Sequence, residues 1–319
     1  MAYHRQTLHR PCQVVHLWSA RSNGLSSVSS ARVNSGVPAA LAMKKVDWDK
    51  RIQRAVKLAE RYPSAAEVLA FYRHILEFQK TLCADIASPS PPAAGDKAAF
   101  REQLDLDIAI RQLPALLALV QRKGPSKLAQ EAAEIGAGKL HLSSPPCYAS
   151  SEQQREMLRS FLLATDANGP ESNHFFARVL LQPQAERLAA TQQTQTVDSP
   201  ASICPVCGAR PQVAVLRPEG DGGKRFLVCS FCATEWEFRR ILCPMCGEQD
   251  HKKLPRYSVE DMPYVRVEAC DTCKYYLKSV DMTVDGLAVP LVDEVATAAL
   301  DVWAMERGFN KISPNLTGF

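Results

Sequence analysis

The chain has 319 residues, 46% apolar and 23% charged, a balance that excludes an overall disordered, collagen-like or coiled-coil protein. Its 38 basic and 34 acidic residues give a net charge of +4, yet residues 1–42 hold Arg5, Arg10, Arg21 and Arg32 and no acid, so the remaining 277 residues carry 34 of each sign. The longest strongly apolar stretch, 113–120, is far short of the roughly 18 residues that span a bilayer, so no membrane span is expected.

Residues 1–42 are rich in Ser and Arg and hold no sustained period, which formally resembles a transit peptide. Met43 stands directly before the first helical pattern, and we read it as the initiator, with the upstream stretch an extension outside the folded protein. From Asp47, the apolar residues Trp48, Ile52, Ala55, Val56 and Ala59 share one helical face, and Pro63 ends the segment. Ser64 and Glu67 have capping-box spacing, and a second helix to about Ile86 follows, pairing with the first as a hairpin. The segment Ser88–Lys97, with three prolines and a glycine, is a linker. Helix resumes over Ala98–Lys123, kinked or split at Pro114, and a shorter helix follows Gly124-Pro125 to about Ala137. Ser151 with Gln154 caps a helix carrying Met157, Leu158, Phe161 and Leu162, and a last helix near Glu171–Ala190 carries Phe175, Val179 and Leu180. This half, residues 43–198, reads as an all-α domain. Its isolated His74 and His174 and its single cysteines Cys83 and Cys147 point to no chemistry.

After a Gln/Thr/Ser/Pro-rich boundary, eight cysteines fall in four identical pairs: Cys204/Cys207, Cys229/Cys232, Cys243/Cys246 and Cys270/Cys273. Cys204-Pro-Val-Cys207-Gly208 and Cys243-Pro-Met-Cys246-Gly247 are metal knuckles, with two thiolates on a tight turn and a glycine for the backbone conformation that follows. The intervals 208–228 and 247–269 each have room for a hairpin: Val213–Leu216 and Phe226–Val228 about Gly220–Gly223, then Leu254–Tyr257 and Tyr264–Val267. A hairpin that brings two pairs together surrounds one ion with four sulfurs, so two ribbons, 199–240 and 241–290, imply two metal ions. The set suits iron or zinc, and at about 30 residues each ribbon depends on its ion to fold. The fold class is therefore α+β: an all-α N-terminal domain, two tandem rubredoxin-like or zinc-ribbon-like four-Cys modules, and a C-terminal helix with tail over 291–319.

Ribbons often bind nucleic acid, but residues 200–290 carry 12 basic and 12 acidic side chains, without the unbalanced positive charge that phosphate binding draws on. No nucleic-acid partner is expected. An enzyme is not expected either. The chain shows no phosphate loop, dinucleotide fingerprint or nucleophile elbow, and a four-thiolate ion offers no open position to substrate. A two-iron redox protein acting in cofactor assembly is the alternative, and a nucleic-acid-binding zinc ribbon protein ranks below it.

The run from Cys204-Pro-Val-Cys207-Gly208 through Phe226-Leu-Val-Cys229-Ser-Phe-Cys232-Ala-Thr-Glu-Trp236 and Arg240-Ile-Leu-Cys243-Pro-Met-Cys246-Gly247 to Glu268-Ala-Cys270-Asp-Thr-Cys273-Lys-Tyr-Tyr-Leu-Lys278 resembles the formate dehydrogenase accessory protein FdhE family. So do Trp48-Asp-Lys-Arg-Ile52 with Tyr62-Pro63, and the tail from Val292 to Asp301 with Gly308-Phe309. The resemblance covers about residues 44–319. It implies a cytoplasmic bacterial maturation factor that binds the catalytic subunit of a respiratory formate dehydrogenase before export, with iron held by the eight cysteines. Val292-Asp293-Glu294 departs from the family's usual Ala-Asp-Asp, and the end, 313–319, is also altered. A chaperone-like role would place a client in a groove between ribbons and helices. Candidate contacts are Thr234, Glu235 and Trp236 beside the second knuckle, and Asp293, Glu294 and Asp301. Trp236 packed under the ribbon, and the three acids as the solvated face of a C-terminal helix, are the alternative readings.

Overall fold

Asp47 starts the first helix by accepting a 2.9 Å bond from the Lys50 amide, an N-cap that satisfies one of the first turn's free donors. The computed structural model describes residues 46–85, 96–137, 150–164, 175–191, 201–220 and 222–318. The N-terminal extension, nearly all of the 88–97 linker, Cys147 and His174 lie outside them. Helix α1 (Trp48–Arg61) buries Trp48, Ala55 and Leu58, and a 3-10 turn at Pro63–Ala65 leads directly into α2 (Ala66–Asp85). Ser64 lies inside that turn and not at the expected cap. The two helices run antiparallel, since Lys80 late in α2 pairs with Asp49 at the start of α1 at 2.6 Å.

The expected break at Pro114 falls earlier. Helices α3 (Lys97–Glu102) and α4 (Leu106–Lys123) part at Gln103–Asp105, and Pro114 sits inside α4. Asp105 caps α4 through a 2.9 Å bond from the Ile108 amide. The buried Gln184 amide clamps the break, accepting from Asp105 N at 2.7 Å and donating to Asp105 O at 2.9 Å. Both backbone groups of Asp105 are thus satisfied by one side chain. Helix α5 (Ser126–Gly136) follows Gly124-Pro125 as expected. At α6 (Ser151–Ala164) the capping box is real but one residue earlier: Ser150 N donates to Gln153 Oε1 at 3.0 Å and Gln153 N to Ser150 Oγ at 3.2 Å.

Helix α7 (Phe175–Ala190) is buried on every side and forms the axis of the helical half. Pro183 within it cannot donate to Val179 O, and the Gln79 side-chain amide takes that carbonyl at 3.2 Å.

The ribbons form the expected hairpins. The first comprises β1 (Pro211–Glu219), β2 (Gly222–Cys229) and β3 (Glu235–Glu237); the second comprises β4 (Arg256–Ser258), β5 (Val265–Ala269) and β6 (Tyr275–Asp281). They share one sheet, ordered β3-β2-β1-β6-β5-β4, because β1 and β6 pair in parallel from Val213↔Lys278 to Leu216↔Asp281. The strand β7 (Asn310–Lys311) pairs with the start of β6.

Two helices, α8 (Pro290–Ala296) and α9 (Ala298–Glu306), replace the single C-terminal helix expected. They part at Thr297, where buried Lys278 takes the carbonyls of Glu294 at 2.6 Å and Thr297 at 3.3 Å. One continuous apolar core runs from Trp48 and Leu180 to Val213 and Val292, so the α+β chain is not a string of independent units. At the joint between ribbons and helices, where a client groove is expected, Phe161 packs against Phe231 and Arg178 donates to Gln212.

Candidate metal centres

Each cysteine pair sits on the same backbone device. The first Cys N–H donates to the carbonyl five residues on: Cys204 to Ala209 at 2.8 Å, and Cys229 to Thr234, Cys243 to Glu248 and Cys270 to Tyr275 at 2.9 Å. The residue after each second cysteine turns left-handed, with φ of 82° at Gly208, 53° at Ala233, 78° at Gly247 and 60° at Lys274. Glycine takes this conformation without strain; Ala233 and Lys274 hold it against a steric cost of about 1–2 kcal/mol. Amide hydrogens then point at sulfur. Phe231 and Cys232 donate to Cys229 Sγ at 3.3 and 3.4 Å, and Met245 to Cys243 Sγ at 3.4 Å.

The hairpins bring the pairs together as two quartets, Cys204/Cys207/Cys229/Cys232 and Cys243/Cys246/Cys270/Cys273, with all sulfurs of a quartet within 4.8 Å of one another. Cys207–Cys229 and Cys204–Cys232 are 3.3 and 3.6 Å apart, and Cys246–Cys270 and Cys243–Cys273 are 3.7 and 3.8 Å apart. A disulfide would need about 2.05 Å, whereas a tetrahedral ion with bonds of about 2.3 Å spaces its sulfurs at about 3.8 Å. Each quartet can therefore hold one metal ion.

Without a cation, four touching thiols compete for one charge. At Cys204, burial opposes ionisation, but hydrogen bonds from Cys207, Cys229 and Cys232 outweigh it and pull its pKa well below the ordinary thiol value. Burial and the neighbouring sulfurs push Cys229 and Cys232 well above it. In the second quartet burial pushes Cys243 up to about 11, while at Cys270 amide hydrogen bonds from Cys273 and Thr272 overcome burial and lower the thiol. A bound cation supplies the charge that lets all four ionise, so its binding releases protons.

The quartets differ in surroundings. In the first, all four cysteines are at most 3% exposed. Arg101 of α3 donates to Cys207 O at 2.8 Å, Arg178 of α7 to Ser230 O at 2.7 Å, and Phe161 of α6 meets Phe231 edge-on at 5.4 Å. In the second, Cys246 is exposed and Cys273 half-buried. A methyl group at Gly208 would come within 3.1 Å of both Arg101 and Lys97, while one at Gly247 would meet nothing within 4 Å. Both glycines are left-handed, so Gly247→Ala is expected to cost about 1–2 kcal/mol and Gly208→Ala about 1 kcal/mol more through the disturbed Arg101 bond. Thermal melts of the two variants check this; equal shifts would refute the clamp.

Of the other candidate residues, Thr234 and Glu235 are half-buried and the remaining four are buried. Trp236 on β3 is buried, its Nε1–H donating to Ala201 O at 2.8 Å. Thr234 Oγ1 lies 3.0 Å from Cys232 Sγ, and Glu235 pairs with Arg217 at 2.6 Å. Asp293, Glu294 and Asp301 are not a solvated face: each is 0% exposed. Arg54 of α1 binds Asp293 through Nε at 3.1 Å, and Tyr264 donates to the same carboxylate at 2.9 Å. Lys278 meets Glu294 at 3.0 Å and Asp301 at 2.5 Å, and Lys311 pairs with both acids, 3.0 Å from Asp301. Burial opposes ionisation of Glu294, yet the two lysines hold its pKa down at about 2. Sequence reasoning missed Arg54, Lys278 and Lys311. The available signal was a lysine within the apolar strand Tyr275–Asp281. His74 lies at the surface beside Glu77, 3.2 Å away.

The fold and its quartets define a class: a helical body carrying two fused four-thiolate modules in one sheet. Residues 203–240 match the model of the FdhE central domain and 241–317 that of the FdhE C-terminal domain. The FdhE homolog of Aquifex aeolicus is 28% identical across 86% of this chain and 97% of its own length; that of Pseudomonas aeruginosa is 37% identical over 120 residues, 36% of this chain and 39% of the relative. The crystal structure of the FdhE protein from Pseudomonas aeruginosa superposes with a TM-score of 0.59 at 27% identity, covering 85% of this chain and 95% of that one. Residues 203–317 thus carry the central and C-terminal domains of the FdhE family, and the likeness to an FdhE homolog extends over 86% of the chain. Among the described residues no helix is long and apolar enough to cross a membrane.

Proposed function

We propose that this protein is a cytoplasmic, non-enzymatic maturation factor that binds the catalytic subunit of a respiratory formate dehydrogenase during its assembly. The observation that carries the reading is the placement of eight cysteines as two metal-ready quartets inside the region matched to both FdhE domains. A four-thiolate ion has no position for substrate, which favours holding a client over turning one over. We assign iron to both quartets, as the family resemblance implies. The residues that would hold it are the eight cysteines; bound there, it supplies the fixed positive charge that ties each hairpin into a rigid unit.

Two measurements test this. Tagged full-length chain is expected to co-purify with the catalytic subunit of a formate dehydrogenase expressed alongside it, and not with an unrelated protein of similar size; no complex would overturn the client assignment. Aerobically purified chain is expected to contain two iron ions and to be red from sulfur-to-iron charge transfer. A colourless chain holding two zinc ions would overturn the metal assignment alone.

A further inference from the structure

The two quartets have the same backbone geometry but opposite access. Helices cover the first: Lys97 and Arg101 of α3 lie over Gly208, Phe161 of α6 packs on Phe231 between Cys229 and Cys232, and Arg178 of α7 holds the Ser230 carbonyl. No sulfur of that quartet meets solvent unless α3, α6 and α7 move away from the ribbon. Among the described residues, no helix lies over the second quartet in the same way. Cys246, Gly247, Asp271 and Thr272 are exposed at its two knuckle tips, and Gly247 faces open space.

Access governs exchange. A thiolate-bound ion leaves when an incoming ligand reaches it, or when a sulfur detaches and is captured by a proton; both routes need contact between sulfur and solution. At the first quartet that contact requires local unfolding of the joint between helices and ribbons. At the second, Cys246 offers it in the folded protein.

We propose that the second quartet is an exchangeable metal site, able to give up its metal ion through Cys246 to an incoming thiolate or carboxylate ligand, while the first is a sealed structural site. The proposal rests on the reading that both quartets hold metal, and it is independent of the client and of which metal is native. In exchange the ion passes to the incoming ligand, the freed sulfurs take up protons, and no electron moves.

The test uses full-length chain loaded with zinc. Metal content is measured first: two ions per chain support the metal reading, and fewer than two overturn it. Excess EDTA is then added at neutral pH, and the zinc remaining on the protein is followed by mass spectrometry. One ion is expected to leave at least tenfold faster than the other. Iodoacetamide added after the fast phase is expected to label Cys243, Cys246, Cys270 and Cys273 and to spare Cys204, Cys207, Cys229 and Cys232, as read from peptide masses. An Arg101→Ala/Phe161→Ala chain should shed the slow ion several-fold sooner with the fast phase unchanged. Loss of both ions at one rate, or labelling of the first quartet in the fast phase, would overturn the inequivalence while leaving the metal reading intact.

Discussion

Replacing Cys204 and Cys207 together by serine is expected to remove one metal ion and to unfold the ribbons as a unit, and not merely to loosen one hairpin. Structural four-thiolate sites contribute on the order of 10 kcal/mol to folding, comparable to the whole stability of a typical domain. The parallel β1–β6 pairing and the continuous core transmit the loss, because β1 of the first ribbon supports β6 of the second. Circular dichroism should show the cooperative melt abolished or lowered by tens of degrees, and mass spectrometry should show the lost ion. A variant that melts within a few degrees of wild type would reduce the first ion to a passenger. Because Cys229 and Cys232 are held protonated when the site has no cation, metal affinity should also rise with pH over the neutral range and fall on acidification.

Lys278→Met is expected to cost about 3–5 kcal/mol, the penalty for stranding buried charge, since two buried carboxylates, Glu294 and Asp301, then share the single ammonium of Lys311. Asp301→Leu should cost a similar amount, leaving two buried lysines to share Glu294 and depriving the Tyr276 hydroxyl of the carboxylate it donates to at 2.8 Å. The diagnostic quantity is the double variant. If Lys278 and Asp301 are direct partners in this network, removing both should cost about 2 kcal/mol less than the sum of the single losses. Urea titrations at neutral pH measure all three. Additive losses would mean that the two side chains do not hold each other.

The chemistry-bearing residues were the most legible part of the sequence. Eight cysteines at one spacing, with Gly208 and Gly247 after two of the pairs, announced both quartets, and the Gly220–Gly223 turn and alternating strands placed the hairpins. The left-handed turns at Ala233 and Lys274 were hidden, because an alanine and a lysine carry no mark of that conformation. Helix limits drifted where a distant side chain decided them: Gln184 of α7 fixes the break at Asp105, and Lys278 of β6 splits α8 from α9 by taking their carbonyls. Asp293, Glu294 and Asp301 read as client contacts or, alternatively, as a solvated face, because an acidic helical segment is ordinarily exposed; each is instead buried. Their partners Arg54, Lys278 and Lys311 lie in α1, β6 and β7, brought there by the fold and not by spacing.

The parallel junction at the centre of the sheet also sets an order of events during synthesis. The hairpin of β1 and β2 can close, and the first quartet assemble, while the second ribbon is still being translated. Until β6 has been made, however, β1 presents an unpaired central edge, Val213 to Leu216, of the kind that invites pairing with other chains. Lys278 arrives with β6 as a bare cation against an apolar strand, and its charge is balanced only when Glu294 and Asp301 follow. The nascent chain is thus exposed between β1 and α9, and mutations there should show first as poor yield on expression and only later as defects in purified protein.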